Sequence, residues 1–389
     1  MKHALETSLN VSEHNSLRVA VDTKNLALYA GGIAAFFRPL LLAWIGQRPH
    51  WEFVLVGPAF EMRELSELHN CSPWTIPWPK ALPRPLRHPF YDNVQFPRAI
   101  RAVRPDVIFT PYHDVRIPRG IPSVMMVHDT CLHDLPDVYP LRIRAYYLHM
   151  LKRNLALATR VLTVSQTSRR ALSERYGVPD VRSGVVPNAI DPLLTESASA
   201  IANAQRLHTE RVPGLHMFYP GGSEHRKNIQ RLTKAMMILV QREKQPHLWI
   251  TGAKDTSWSA CLDKLPAQDA ARFHFLGRLS IDSLAAQYRA CNAVVYPTLC
   301  EGFGRVALEA MELGMPLACS DIEVLREVAG DYPVYFDPHE PTAIADGILT
   351  ASSRGLQTPR RCTDFQPAHV VQTFIDQMDA AFALTRPIL

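Results

Sequence analysis

The sequence predicts an α/β protein built as two doubly wound parallel sheets. Three observations carry this. Short apolar runs alternate with segments of helical spacing along both halves of the chain. The 389 residues exceed what one hydrophobic core ordinarily serves and fit two domains of about 150–200 residues each. A hydrophobic fraction of 47% is enough for two such cores. A ligand between two such sheets would touch the C-terminal strand ends of both.

Composition removes several function classes. The net charge of +5 is mild, and no RNA- or DNA-binding motif accompanies it. Seven cysteines (71, 131, 261, 291, 300, 319 and 362) include no CxxC pair. An odd, scattered set fits a reducing cytosol, with several of them serving as small core residues. No cluster of metal-ligating residues is visible. The polar N-terminus is not a signal peptide, and no apolar run is long enough to span a bilayer. The longest candidate, residues 33–45, is interrupted by Arg38 and Pro39.

In the first half, residues 17–21 read as a strand ending at Asp22. A loop to Gly31-Gly32 and an apolar helix over 33–44 follow. Strand, glycine pair and helix suit either a close approach to a phosphate or a tight helix-entry turn. GxGxxG is absent, so a dinucleotide fingerprint is not supported. Residues 53–56, 106–109 and 122–127 read as further strands, and 71–98 as a long irregular segment rich in Pro, Trp and Arg. His128-Asp129 follows the strand at 122–127. A histidine there either faces ligand or caps the strand end. A helix over 142–158, a strand over 160–164 and a helix over 166–176 with Ser165 as its N-cap come next.

Basic residues concentrate in this half. Lys and Arg outnumber acids eight to three over 79–119 and eight to one over 142–175. Such a face suits either solvent or anionic lipid headgroups. Residues 191–213 are polar and read as a linker or edge helix.

The second half holds the two most informative stretches. After a strand over 215–219 comes Gly221-Gly222, then Arg226-Lys227-Asn228, then a helix over 229–240. Two adjacent cations at a helix entrance suit a diphosphate: Arg grips oxygens bidentately and Lys adds a point charge. A buried strand over 293–296 leads into Glu301-Gly302-Phe303-Gly304 and a helix over 306–313 carrying Glu309. The glycines let backbone approach a ligand, and a helix N-terminus is an anion site. A carboxylate five residues further on suits a vicinal diol such as a ribose rather than a phosphate. The pair of acids thus points to a nucleotide-linked ligand with hydroxyls at both ends.

Taken in order, these pieces resemble the retaining glycosyltransferases of family 4. The resemblance covers most of the chain. It rests on Gly31-Gly32-Ile33, His128-Asp129, Ser165 in TVSQTS, Val186-Pro187-Asn188, Gly222 with Arg226-Lys227-Asn228, and the EX7E motif of Glu301 and Glu309. The run VHDTCLHDLPDVYP looks most like bacterial mannosyltransferases that build O-antigen, capsule or exopolysaccharide. The resemblance implies a GT-B fold, two Rossmann-like domains facing across a cleft. Residues 1–190 would bind the acceptor and 191–365 the nucleotide-sugar. Residues 366–389 would form a C-terminal helix packing back towards the first domain.

The resemblance also implies roles. Arg226 and Lys227 would hold the donor diphosphate and stabilise the leaving nucleotide. Glu309 would bind the ribose hydroxyls. Glu301, with the backbone of Gly302, Phe303 and Gly304, would bind the donor sugar, and His128 would sit beside the reacting sugar. Gly31, Gly32 and Gly222 would let backbone approach the donor. No metal and no cofactor is expected, because the two cations do the metal's work. The chain departs from the family where GGIGR is common: here Ala34-Ala35-Phe36 follows Ile33, so the acceptor side of this loop differs.

The expected activity is transfer of mannose from GDP-mannose to a glycan or lipid-linked glycan, with retention, in surface polysaccharide synthesis. Alternatives are a UDP- or dTDP-sugar donor (glucosyl, galactosyl or rhamnosyl transfer), a GT-B epimerase or phosphorylase, and a degenerate assembly subunit. The expected location is cytoplasmic, with peripheral contact to the inner face of an anionic membrane.

Overall fold

The computed structural model describes residues 16–28, 32–60 and 62–383. Gly31 falls outside them. Seven strands form one sheet: β1 (Arg18–Asp22), β2 (Glu52–Gly57), β3 (Cys71–Thr75), β4 (Val107–Thr110), β5 (Ser123–Val127), β6 (Arg160–Thr163) and β7 (Ser183–Val185). Their order is β3-β2-β1-β4-β5-β6-β7. Six form the other: β8 (Leu215–Tyr219), β9 (Pro246–Ile250), β10 (Phe273–Phe275), β11 (Ala293–Tyr296), β12 (Leu317–Ser320) and β13 (Val334–Phe336). Their order is β10-β9-β8-β11-β12-β13. Neighbouring strands run parallel, with Val19 opposite Val107 and Val294 opposite Leu317. Parallel strands are covered on both faces, which is why they read as unbroken apolar runs.

One expectation needs correction, and one open alternative takes the helical form. Residues 71–98 are not irregular throughout: they hold β3, the helix Arg84–Phe90 and a π-helical turn, Tyr91–Gln95. β3 is an edge strand with four of five residues exposed. It therefore lacks an apolar run and tolerates Pro73. The polar segment 191–213 is mostly helical, as Pro192–Glu196 and Ala198–Glu210, with Asp191 and Ser197 capping through their side chains.

The chain divides into two units, residues 1–125 with 157–159, and residues 126–156 with 160–389. In the first unit, helix Gly32–Gln47 lays Phe37 and Trp44 on the sheet. Phe37 stacks on Phe109 at 5.2 Å, and Trp44 meets Phe53 edge-on at 5.0 Å. At the C-terminal end of β1 the core turns polar. Lys24 is fully buried and forms ion pairs with Asp92, at 2.7 Å, and with Asp114. Buried Asp22 accepts the Lys24 backbone N–H at 2.9 Å. Burial pushes the Asp22 carboxyl up to about 7 and that of Asp92 up to about 8, against the pull of the Lys24 charge. Burial pulls the Lys24 ammonium down, but the facing carboxylates outweigh it and raise it well above its ordinary value.

In the second unit, helices Ile229–Gln241 and Pro341–Arg354 contribute to one apolar core. Leu232, Met236, Ile344 and Ile348 meet Met217, Leu248 and Val295 of the sheet there. Helix Gln166–Tyr176 starts and stops where its sequence dictates. Ser165 accepts the Ser168 backbone N–H, and Gly177 ends the helix in the left-handed region at φ 66°. Among the described residues no helix is long and apolar enough to cross a membrane.

Candidate active site

In the six-stranded sheet the strand order reverses between β8 and β11. The loops leaving such adjacent strand ends diverge, and ligands of open α/β sheets bind in the crevice they leave. Residues 220–228 follow β8 and residues 297–304 follow β11, so both informative stretches of the second half meet there.

Their contact is direct. A single carboxylate oxygen, Oε1 of Glu301, accepts from Arg226 Nη1 at 2.7 Å, Lys227 Nζ at 2.6 Å and Thr298 Oγ1 at 2.9 Å. Arg226 also donates to the Cys300 carbonyl at 3.1 Å and to Glu224 at 2.7 Å. Leu299 N donates to the Arg226 carbonyl at 2.8 Å, tying the two loops by backbone as well. Burial pushes the Glu301 carboxyl up, but Lys227 and Arg226 outweigh it and hold it at about 2. Burial lowers and Glu301 raises the Arg226 guanidinium, with a net rise. Glu301 is therefore an anion and Arg226 a cation throughout the physiological range.

Buried hydroxyls support these groups. Tyr296, at the end of β11, lies 3.3 Å from Lys227 Nζ through its hydroxyl. Tyr219, at the end of β8, donates to the Gly222 carbonyl at 2.7 Å. A Cβ at Gly222 would meet open space, whereas one at Gly221 would strike the Tyr219 ring. The turn's own packing thus requires glycine at 221. Asn228 takes the left-handed conformation at φ 61° and anchors the turn by donating to the Pro338 carbonyl at 2.7 Å.

The glycine run is tightly enclosed. Ser165 Oγ donates to the Gly302 carbonyl at 2.7 Å, so this residue both caps its helix and holds the turn. A Cβ at Gly302 would overlap the backbone carbonyl of His128. The His128 backbone therefore lies alongside the Glu301 turn. Gly304 sits at φ 96° against Leu325 and opens helix Arg305–Glu312. The Phe303 side chain packs edge-on against Phe365. One turn into the helix, Glu309 is mostly buried and accepts from Tyr288 Oη at 2.7 Å and Arg305 Nη2 at 3.3 Å.

Replacing Gly302 with alanine should disrupt this turn. The clash is with backbone, which a rotamer change cannot relieve. The expected result is a lowered melting temperature. An unchanged melting curve would show that the turn has room to move.

One cysteine expectation is overturned. Cys131 and Cys300 form a disulfide, bridging residues 169 apart in sequence. The scattered cysteines gave no sign of it, since nothing local marks a long-range pair. It joins the segment just after His128 to the residue before Glu301. No sequence signal marks Tyr288, which reaches the site only through the fold, whereas Thr298 reaches Glu301 from three residues earlier in the same loop.

A switch-point site built from two cations, an anchored carboxylate and a glycine turn, in a chain of two parallel Rossmann-like sheets, stands on a scaffold of the GT-B class. The chain belongs to glycosyltransferase family 4. The model described as Glycosyltransferase Family 4 matches residues 31–193, and that described as Glycosyl transferases group 1 matches residues 209–366. The chain is 29% identical over 241 residues to O-antigen chain mannosyltransferase B of Escherichia coli, covering 58% of this chain and 60% of the relative. It is 24% identical over 234 residues to the O-antigen chain mannosyltransferase RfbU of Salmonella typhimurium, covering 60% and 61%. The chain thus spans about three fifths of the length of these relatives.

Among solved structures, WaaG, a glycosyltransferase involved in lipopolysaccharide biosynthesis, aligns with a TM-score of 0.69 at 15% identity, over 95% of this chain and 100% of that one. Anabaena HepE, solved in complex with UDP and glucose, aligns with a TM-score of 0.66 at 17% identity, over 93% and 99%. At these identities the likeness is one of fold.

Proposed function

We propose that the protein is a retaining glycosyltransferase that moves mannose from GDP-mannose to a glycan or lipid-linked glycan in surface polysaccharide synthesis. The observation that carries this is the convergence of Arg226 and Lys227 on one oxygen of Glu301. Cleaving a nucleotide–sugar bond builds negative charge on the leaving phosphate and positive charge on the sugar ring. Two fixed cations favour that state over the ground state, so no metal and no other cofactor is needed. The O-antigen mannosyltransferase relatives support the choice of sugar and pathway.

In the proposed reaction the acceptor hydroxyl attacks the anomeric carbon from the face the phosphate leaves. A phosphate oxygen takes the hydroxyl proton, and configuration is retained. The Glu301 carboxylate, with the backbone at 302–304, holds the donor sugar, His128 borders it, and Glu309 receives the ribose. The acceptor is taken up by the first half of the chain, at the cytoplasmic face of an anionic membrane. A second donor, UDP-glucose or a related UDP-sugar, is favoured by one observation: the similar fold of HepE is solved with UDP and glucose.

A thermal-shift screen with GDP, UDP, dTDP and ADP, each with and without EDTA, separates the readings. A ligand at about 100 times its Kd stabilises by about 2.7 kcal/mol. A shift with GDP that EDTA leaves unchanged is the expected result. A shift with UDP alone replaces mannose by a UDP-linked sugar. No shift with any of them points to a non-catalytic assembly subunit, and an EDTA-sensitive shift overturns metal independence.

A further inference from the structure

Glu309 is held differently from Glu301. Among the described residues each of its carboxylate oxygens has one donor: Tyr288 Oη on Oε2 at 2.7 Å and Arg305 Nη2 on Oε1 at 3.3 Å. Tyr288 stands in the last turn of helix Ile281–Arg289, and its side chain is fully buried. Its ring meets Phe218 of β8 edge-on, with centroids 4.9 Å apart. Phe218 is itself fully buried. The hydroxyl is thus fixed by core packing, and among the described residues its one hydrogen bond goes to Glu309. Burial, and then the Glu309 charge, push the phenol well above its ordinary value, so it stays a donor.

We propose that Tyr288 is a positioning residue for donor specificity, fixing the Glu309 carboxylate so that the site prefers a nucleotide with both ribose hydroxyls. The inference rests on the donor role proposed for Glu309 and goes beyond it. A vicinal diol presents two donors at a set separation. A carboxylate accepts both only while its plane is held still. A glutamate side chain has three rotatable bonds, and one turn of helix does not fix them. The Tyr288 hydroxyl pins one oxygen from the core side and Arg305 the other from the helix. The lone pairs that remain keep one orientation.

The test uses the full chain with Tyr288→Phe, which removes the hydroxyl and keeps the ring against Phe218. The probes are the nucleoside diphosphate giving the largest shift in the screen above and its 2′,3′-dideoxy form, measured by calorimetry. The ribonucleotide should bind about tenfold more weakly to the variant, as for loss of a hydrogen bond to a charged group. The dideoxy form should bind both proteins alike, so the ribo-to-dideoxy ratio falls. A general structural defect would weaken both probes together and leave the ratio unchanged, which overturns the proposal. In a Glu309→Gln background, Tyr288→Phe should change the ratio no further. A further fall there also overturns it, because Tyr288 would then act elsewhere. Wild-type protein that binds no nucleotide fails the donor reading itself. Wild-type protein that binds both probes equally fails the ribose role of Glu309 and the inference with it, while nucleotide binding itself stands.

Discussion

Replacing Arg226 with alanine is expected to lower the rate of sugar transfer by about 10²–10³, as for loss of one donor in an oxyanion site. The reason is positional. Arg226 contacts Glu301 and the Cys300 carbonyl, and its own carbonyl accepts from Leu299 N, so it is fixed before any ligand arrives. A fixed cation stabilises developing charge without reorganising during the reaction. Lys227 stays against Glu301 in the variant, so nucleotide binding should weaken less than the rate falls. Arg226→Lys should recover only part of the rate, because an ammonium cannot make the guanidinium's two-pronged contact. Steady-state kinetics beside a nucleotide titration measure both. A variant that keeps its rate would remove Arg226 from the chemistry and shift the burden to Lys227 alone.

Lys24→Met should cost about 3–5 kcal/mol of stability, the typical result of breaking a buried ion pair from one side. The cluster has one cation for three buried carboxyls: Asp22, Asp92 and Asp114. Asp22 Oδ2, Asp92 Oδ2 and Asp114 Oδ1 have no hydrogen-bond partner among the described residues. Removing Lys24 leaves all three uncompensated. The same cluster sets a pH dependence. Asp22 and Asp92 have folded values raised to about 7 and about 8, above the ordinary 3.8. In that window the folded state binds more protons than the unfolded chain, so stability falls as pH rises. The decline should run from near pH 4 to near pH 8 and then level off, as far as these two groups determine it. Asp92→Asn removes one of the titrating groups and should flatten the upper part of the slope. Melting curves at several pH values decide; a slope equal in wild type and variant would mean that Asp92 does not titrate there.

The parts of the fold legible in the sequence are those whose information is local. β5 and β11 are fully covered, β1 and β2 are covered in all but their first residue, and all four read as apolar runs. Ser165 and Gly177 bracket a helix whose ends follow from cap chemistry. β3 was hidden because an exposed edge strand need not be apolar. In the site, Arg226, Lys227 and Glu301 each sit in a short recognisable stretch, and the fold brings those stretches together. Tyr288 lies 21 residues before Glu309 in a helix with no unusual feature. Lys24 meets Asp92 and Asp114 over 68 and 90 residues. No local pattern marks such pairs, because their partners are chosen by sheet order, which sequence spacing does not encode.

The link between Cys131 and Cys300 makes a closed ring of the chain between them. Arg226 and Lys227 lie within that ring, while Glu301 is the first residue beyond its clasp. A single cut in any loop of the ring would leave the pieces joined covalently, with both cations still tied to the carboxylate's neighbour. This part of the chain is in that sense sewn shut around its own charged centre by one sulfur–sulfur bond.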